Sequence, residues 1–138
     1  MSNIGSWDPK LKVSQPASEV NLNELSPFLA LNDSQLDTLS ASLTQEVILA
    51  QRHLMTRHKN AWKTVAAQLK DQQVIDLIRF FTLAEGQLPG WEAGSKSPVI
   101  WLCRELKKRG LFPDQALIKW IKTHTDNKFL PYGNPLDF

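Results

Sequence analysis

A single cysteine, Cys103, leaves no partner for an internal disulfide in this chain of 138 residues, which suits a reducing compartment. Nowhere are there the roughly 18 successive apolar residues that a membrane-spanning helix requires, so no membrane association is expected. Residues 1–15 lack the continuous apolar run of a secretion signal, and neither end carries a lipidation motif. The expected location is the cytoplasm. Charge of one sign is also scarce: the net value is +2, small beside the strongly basic stripe of a dedicated nucleic-acid binder.

Motifs that carry chemistry are missing too. The serines lack a Gly-x-Ser-x-Gly elbow, and the acids are scattered, with no pair that helical periodicity brings into one cleft. His53, His58 and His124 are too few and wrongly spaced for a metal, because five residues along a helix turn His58 about 140° away from His53. No metal and no cofactor are expected. Gly90, Gly94, Lys96 and Ser97 superficially resemble a phosphate-binding loop, but the glycines are one residue too close, Ser95 intervenes before the lysine, and no strand precedes them. What remains is a helix start at which the amides of Gly94, Ser95, Lys96 and Ser97, with the Lys96 charge, can hold a single anion. Enzymatic activity is disfavoured, and an enzyme acting on a small anion there is the least favoured reading.

The residues that are present point to a folded helical protein. Hydrophobic residues make up 42% of the chain and five are tryptophans, which argues against global disorder. The length suits one domain able to bury a core unaided. Apolar side chains at three-and-four intervals predict an all-α fold: a compact single-domain bundle of about five helices, roughly 33–58, 61–70, 72–85, 98–109 and 113–124. An irregular N-terminal arm (1–20), partly ordered because it includes Trp7, precedes the helical domain (21–125). An extended tail (126–138), rich in aromatics and proline, follows it and is expected to dock on the domain.

Within the first half, Ser26 with Pro27 signals one short helical turn. Asn32 and Gln35 form a capping-box signature, with Leu31 and Leu36 as its hydrophobic staple. From there Leu36, Leu39, Leu43, Val47, Ala50 and Leu54 draw one stripe across about five turns, with Arg52, Arg57, His58 and Lys59 crowding its end. Trp62, Val65, Ala66 and Leu69 form a shorter stripe. Val74, Leu77, Ile78 and Phe81 follow, so residues 61–85 read as two helices or one bent one. Glu85 to Lys96 breaks the pattern with Gly86, Pro89, Gly90 and Gly94, and Trp91 is expected to fold back over the next helices.

Ser97, Pro98, Gly110 and Pro113 punctuate two further helices joined with little slack, which predicts a packed helical hairpin. On the first, Val99, Leu102, Cys103 and Leu106 share one face and Trp101, Arg104, Glu105 and Lys108 the other. Cys103 is therefore a core residue rather than a nucleophile. On the second, Leu117, Trp120, Ile121 and His124 face inward.

Function is expected to lie on the outer surface. The leading reading is a non-enzymatic protein interaction or regulatory module whose partner is another protein, bound through Trp101, Arg104 and Lys108. The alternative is a nucleic-acid or polyanion binder using Arg104, Lys107, Lys108, Arg109, Lys119, Lys122 and Lys128. It draws on an uneven charge, −2 over residues 1–95 and +4 over 96–138.

Overall fold

The computed structural model describes residues 19–133. Among them the chain forms eight α-helices and no strand. These are α1 (Leu22–Leu29), α2 (Asp33–Leu36), α3 (Leu39–Ser42), α4 (Gln45–Gln51), α5 (Lys59–Ala66), α6 (Asp71–Gln87), α7 (Pro98–Lys108) and α8 (Gln115–His124), with 3-10 turns at Arg52–Thr56 and Gly94–Lys96. The all-α class is as expected; the number of helices is not. None of the described helices is long and apolar enough to cross a membrane. Trp7, and the part of the tail beyond Gly133, lie outside the described residues.

Helix α6 is the centre of the arrangement. Val74, Leu77, Ile78 and Phe81 repeat at helical spacing, and Phe80 and Ala84 widen the stripe until the helix is apolar on most sides. All six are fully buried, because α1, α3, α7 and α8 all pack against this helix. Phe28 of α1 stacks on Phe80 at 4.2 Å between centroids. Trp62 of α5 meets Phe81 edge-on at 5.4 Å, and Trp91 meets Phe80 edge-on at 5.9 Å. Trp91 thus folds back onto α1 and α6.

The long helix expected over 33–58 is divided into α2, α3, α4 and a 3-10 turn. The Asn32 capping box forms, with Gln35 N–H donating to Asn32 Oδ1 (2.9 Å) and Asn32 N–H to Gln35 Oε1 (2.8 Å). The helix it opens nevertheless stops after four residues. Hydroxyl side chains compete for the backbone here: Ser42 donates to the Gln35 carbonyl (3.1 Å), and Thr44 caps α4 by accepting from Val47 N–H (3.2 Å). Tertiary structure completes the break. The Gln87 amide accepts from Leu39 N–H and donates to the Leu36 carbonyl, both at 2.9 Å, so one side chain of α6 satisfies both ends of the interruption. The stripe still turns Leu39, Leu43 and Leu54 inward, Leu39 on α3, Leu43 at the end of that helix and Leu54 on the 3-10 turn.

Other boundaries move for local reasons. Helix α1 begins well before Ser26, because Asn21 N–H donates to Glu24 Oε1 (2.9 Å); Pro27 falls inside it. Residues 61–85 are two helices. His58 Nδ1 accepts from Asn60 N–H (3.1 Å) and starts α5 two residues early, while α6 runs through Gly86 to Gln87.

The expected hairpin is corrected as well. Ser97 caps α7 with Pro98 at its first position, and Gly110 supplies the left-handed stop at φ +79°. Pro113, however, does not open α8. Asp114 does, its Oδ1 accepting from Ala116 N–H (3.0 Å) and Leu117 N–H (3.3 Å). The connection is therefore longer than two or three residues, and it lets the helices separate: α7 packs on α5 and α6, whereas α8 packs on α6.

Leu77 is fully buried at the centre of this packing. Leu77→Ala is expected to lower unfolding stability by about 2–5 kcal/mol, measured by urea denaturation. A loss too small to measure would contradict the central position of α6.

Candidate functional site

Helix α7 is enclosed almost all round over its first two turns. Val99, Ile100, Leu102 and Cys103 are buried, and so is Trp101 at 4% exposure. Trp101 is thus covered by the chain itself and is no exposed anchor. The Arg104 guanidinium lies over its ring, 5.0 Å from the centroid, and Arg104 Nη2 donates to the Tyr132 carbonyl (3.3 Å). The chain after α8 has returned across this face. Gly133 is needed there, because its φ is +86° and an added Cβ would come within 2.9 Å of Ile100 Cγ2.

Where the returning chain passes the C-terminal half of α7, a cleft of about 410 Å³ opens. Cys103, Arg104 and Lys107 form its floor and one rim, and Phe112 with Pro113 forms one wall. Pro131, Tyr132 and Gly133 form the other. The Phe112 and Tyr132 rings meet edge-on at 6.1 Å. Lys122 of α8 holds its ammonium 5.9 Å from the Tyr132 ring centroid. Among the described residues, no carboxylate lines this cleft. Burial pushes the Cys103 thiol up to about 12, so at neutral pH the sulfur is an apolar patch of the floor rather than a thiolate.

The cationic residues expected to act together are divided. Arg104 and Lys107 face the cleft, with Lys122 above Tyr132. Lys108, Lys119 and Lys128 are exposed but do not line it. Arg109 belongs to a different structure. Its Nε donates to Glu105 Oε2 (2.7 Å), Nη1 to Asp71 Oδ1 (2.7 Å), and Nη2 to the carbonyls of Ala66 (3.0 Å) and Leu69 (2.7 Å). The planar fork of the guanidinium makes this possible: one side chain joins the end of α7 to the end of α5 and the start of α6. It is withdrawn from any polyanion surface.

The helix start at Gly94, Ser95, Lys96 and Ser97 already receives an anion from the chain itself. Ser97 Oγ donates to Glu85 Oε2 (2.6 Å), and Ala93 N–H donates to Glu85 Oε1 (3.3 Å). Asn127 Nδ2 donates to the same Oε1 and to the Gly94 carbonyl, both at 3.0 Å. The Glu85 carboxylate therefore takes the Ser97 hydroxyl, while the Lys96 and Ser97 amides are occupied by the Ala93 (3.0 Å) and Gly94 (3.3 Å) carbonyls, and Glu85 moors the segment after α8 to the loop before α7. Burial raises its pKa above the ordinary glutamate value, against the lowering effect of hydrogen bonds from Ser97, Asn127 and Ala93.

The three histidines do separate structural work. His53 accepts from Arg57 Nε (2.9 Å) and sits 3.2 Å from Glu24, His58 caps α5, and His124 stacks on Trp120 at 4.2 Å. Among the described residues, no three His, Cys, Asp or Glu side chains are gathered to hold a metal.

Sequence reasoning missed Phe112, Pro113, Pro131 and Tyr132 as one site, and Glu85 with Asn127 as one contact. The aromatic content of the tail was the available signal. It shows that the tail docks but not where, since the cleft walls are some twenty residues apart in the chain. Comparison with known proteins adds no relative: no family model matches the chain, and no curated protein or solved structure matches it significantly.

Two expectations test these assignments. Arg109→Ala removes the guanidinium from the nearly buried Glu105 carboxylate and from the Leu69 carbonyl, and should cost roughly 2–4 kcal/mol in denaturant titrations. Lys108→Ala at an exposed site should change stability by less than about 0.5 kcal/mol. Equal effects would mean that Arg109 is not the clamp described.

The second concerns pH. The folded Glu85 carboxyl titrates above its unfolded counterpart, so its ionised form opposes folding. The stability it contributes is complete below the unfolded value and is lost as pH rises through the folded one. Glu85→Gln should therefore gain stability relative to the wild type on going from about pH 4 to about pH 8. A difference between the two proteins that stays constant over that range contradicts this.

Proposed function

We propose that this protein is a non-enzymatic interaction module of the cytoplasm that binds another protein at the cleft between α7 and the Pro131–Gly133 segment. The supporting observation is the cleft itself, apolar within and rimmed by Arg104 and Lys107. A basic rim on an apolar recess favours a partner that is acidic and partly apolar. Tyr132 supports the reading, because 56% of this residue is exposed although large aromatic residues are usually mostly covered. Trp101 acts here from beneath, as the support that orients Arg104, and Lys108 lies at the margin.

A polyanion partner is the second reading, favoured by the exposure of Lys107, Lys108, Lys119, Lys122 and Lys128. It is weakened by the loss of Arg109 to the clamp. Single-stranded oligonucleotide binding that falls steeply between low and physiological salt is its signature.

The photo-crosslinking amino acid p-benzoylphenylalanine, placed at Lys107 in the full chain and irradiated in cells, tests the leading reading. A discrete adduct is expected that survives nuclease, is absent when the probe stands at exposed Lys63 of α5, and diminishes with Lys122→Glu. No adduct, or one that nuclease removes, overturns it.

A further inference from the structure

We propose that the partner meets this cleft with a proline-rich segment in the extended polyproline conformation, flanked by acidic residues. A proline ring packs against the open side of the Phe112 and Tyr132 pair, the Tyr132 hydroxyl donates to a carbonyl of the segment, and a flanking carboxylate meets Lys107. The inference rests on the interaction reading above and adds to it the chemistry of the partner.

The shape of the aromatic pair sets the first part. Phe112 and Tyr132 already touch, their centroids 6.1 Å apart and their planes at 65°, so a ligand does not part them. It lies instead in the corner that two such rings make, beside Pro113 and Pro131, in a recess of about 410 Å³. A proline side chain is compact and has no rotamer freedom to lose on entering such a corner. The polyproline helix is also formed before it binds, which is why aromatic-lined grooves take segments of this kind.

Free polar groups set the rest. A polyproline segment makes no hydrogen bonds within itself, and its carbonyls stand open to outside donors. Tyr132 is 56% exposed, and among the described residues neither its hydroxyl nor the Lys107 ammonium has a hydrogen-bond partner. The hydroxyl therefore supplies the donor. Lys107 is exposed on the rim, and the Lys122 ammonium stands 5.9 Å from the Tyr132 ring centroid. These two charges favour carboxylates beside the prolines. Arg104 is left out of the count, being engaged by the Trp101 ring and the Tyr132 carbonyl.

The test uses the full chain and fluorescence anisotropy with a fluorescein-labelled peptide, Gly-Glu-Asp-Pro-Pro-Pro-Pro-Asp-Glu-Gly, whose acids at both ends serve either direction of binding. Saturable binding is expected. It should weaken by about tenfold or more when serine replaces the prolines, when the acids become amides, or when the protein carries Lys107→Glu. Tyr132→Phe, which removes only the hydroxyl, should weaken it about fivefold. Both protein positions are exposed, and circular dichroism checks that the variants fold. In nitrogen-edited NMR spectra, the peptide should shift the amides of Lys107, Phe112, Tyr132 and Gly133 before those of α4. Absence of saturable binding up to about 1 mM peptide, or any one of these changes leaving the affinity as it was, overturns the proposal. If a nuclease-resistant adduct at Lys107 persists in that case, the interaction reading survives and only the partner's chemistry is wrong.

Discussion

Phe80 and Phe81 hold the rest of the molecule in register. Adjacent residues on a helix point about 100° apart, so this pair addresses two sectors at once. Phe28 and Trp91 close on one ring, and Trp62 closes on the other. Three segments that are separated in the chain by other elements therefore meet over one turn of α6. Each such ring pair adds about 0.5–1.5 kcal/mol beyond the burial of its area. Because α6 is enclosed on so many sides, α7 can pack against it along its length and deliver Arg104 and Lys107 to a defined place.

Polar side chains perform a complementary task at the edges of this core. Gln87 bridges the break between α2 and α3, Arg109 ties three helix ends, and Glu85 gathers the loop before α7 and the segment after α8. Each lies near a helix end, where backbone groups lack partners within the helix. In each case the partner comes from far along the sequence. The apolar core decides which helices are neighbours, and these three residues decide how the irregular segments between them lie.

That division explains how much was legible in advance. Periodicity identified the class, the central stripe of α6, and the Ser97–Pro98 start of α7, because those depend on residues within a few positions of one another. It failed at 33–58, where an intact stripe concealed an interruption stabilised by Gln87, about fifty residues away. It failed again after Gly110, where Pro113 and Asp114 are both local start signals and only the folded chain shows that Asp114 prevails. For the site, the basic residues were visible as a list. Arg109 and Arg104 differ only in what surrounds them, and neither the clamp nor the Trp101 support has a local signature.

The mooring of Asn127 to Glu85 has a wider consequence. The cleft takes its floor from α7, one wall from the turn that follows that helix, and the other from a stretch held by Asn127 on the buried Glu85 side chain and by Arg104 on the Tyr132 carbonyl. A chain still emerging during synthesis, or frayed after its last helix, would display the same cations without a recess between them. If the cleft takes a partner as proposed, that partner would meet finished molecules alone, and recognition would serve as a certificate that distant parts of the polypeptide have come together.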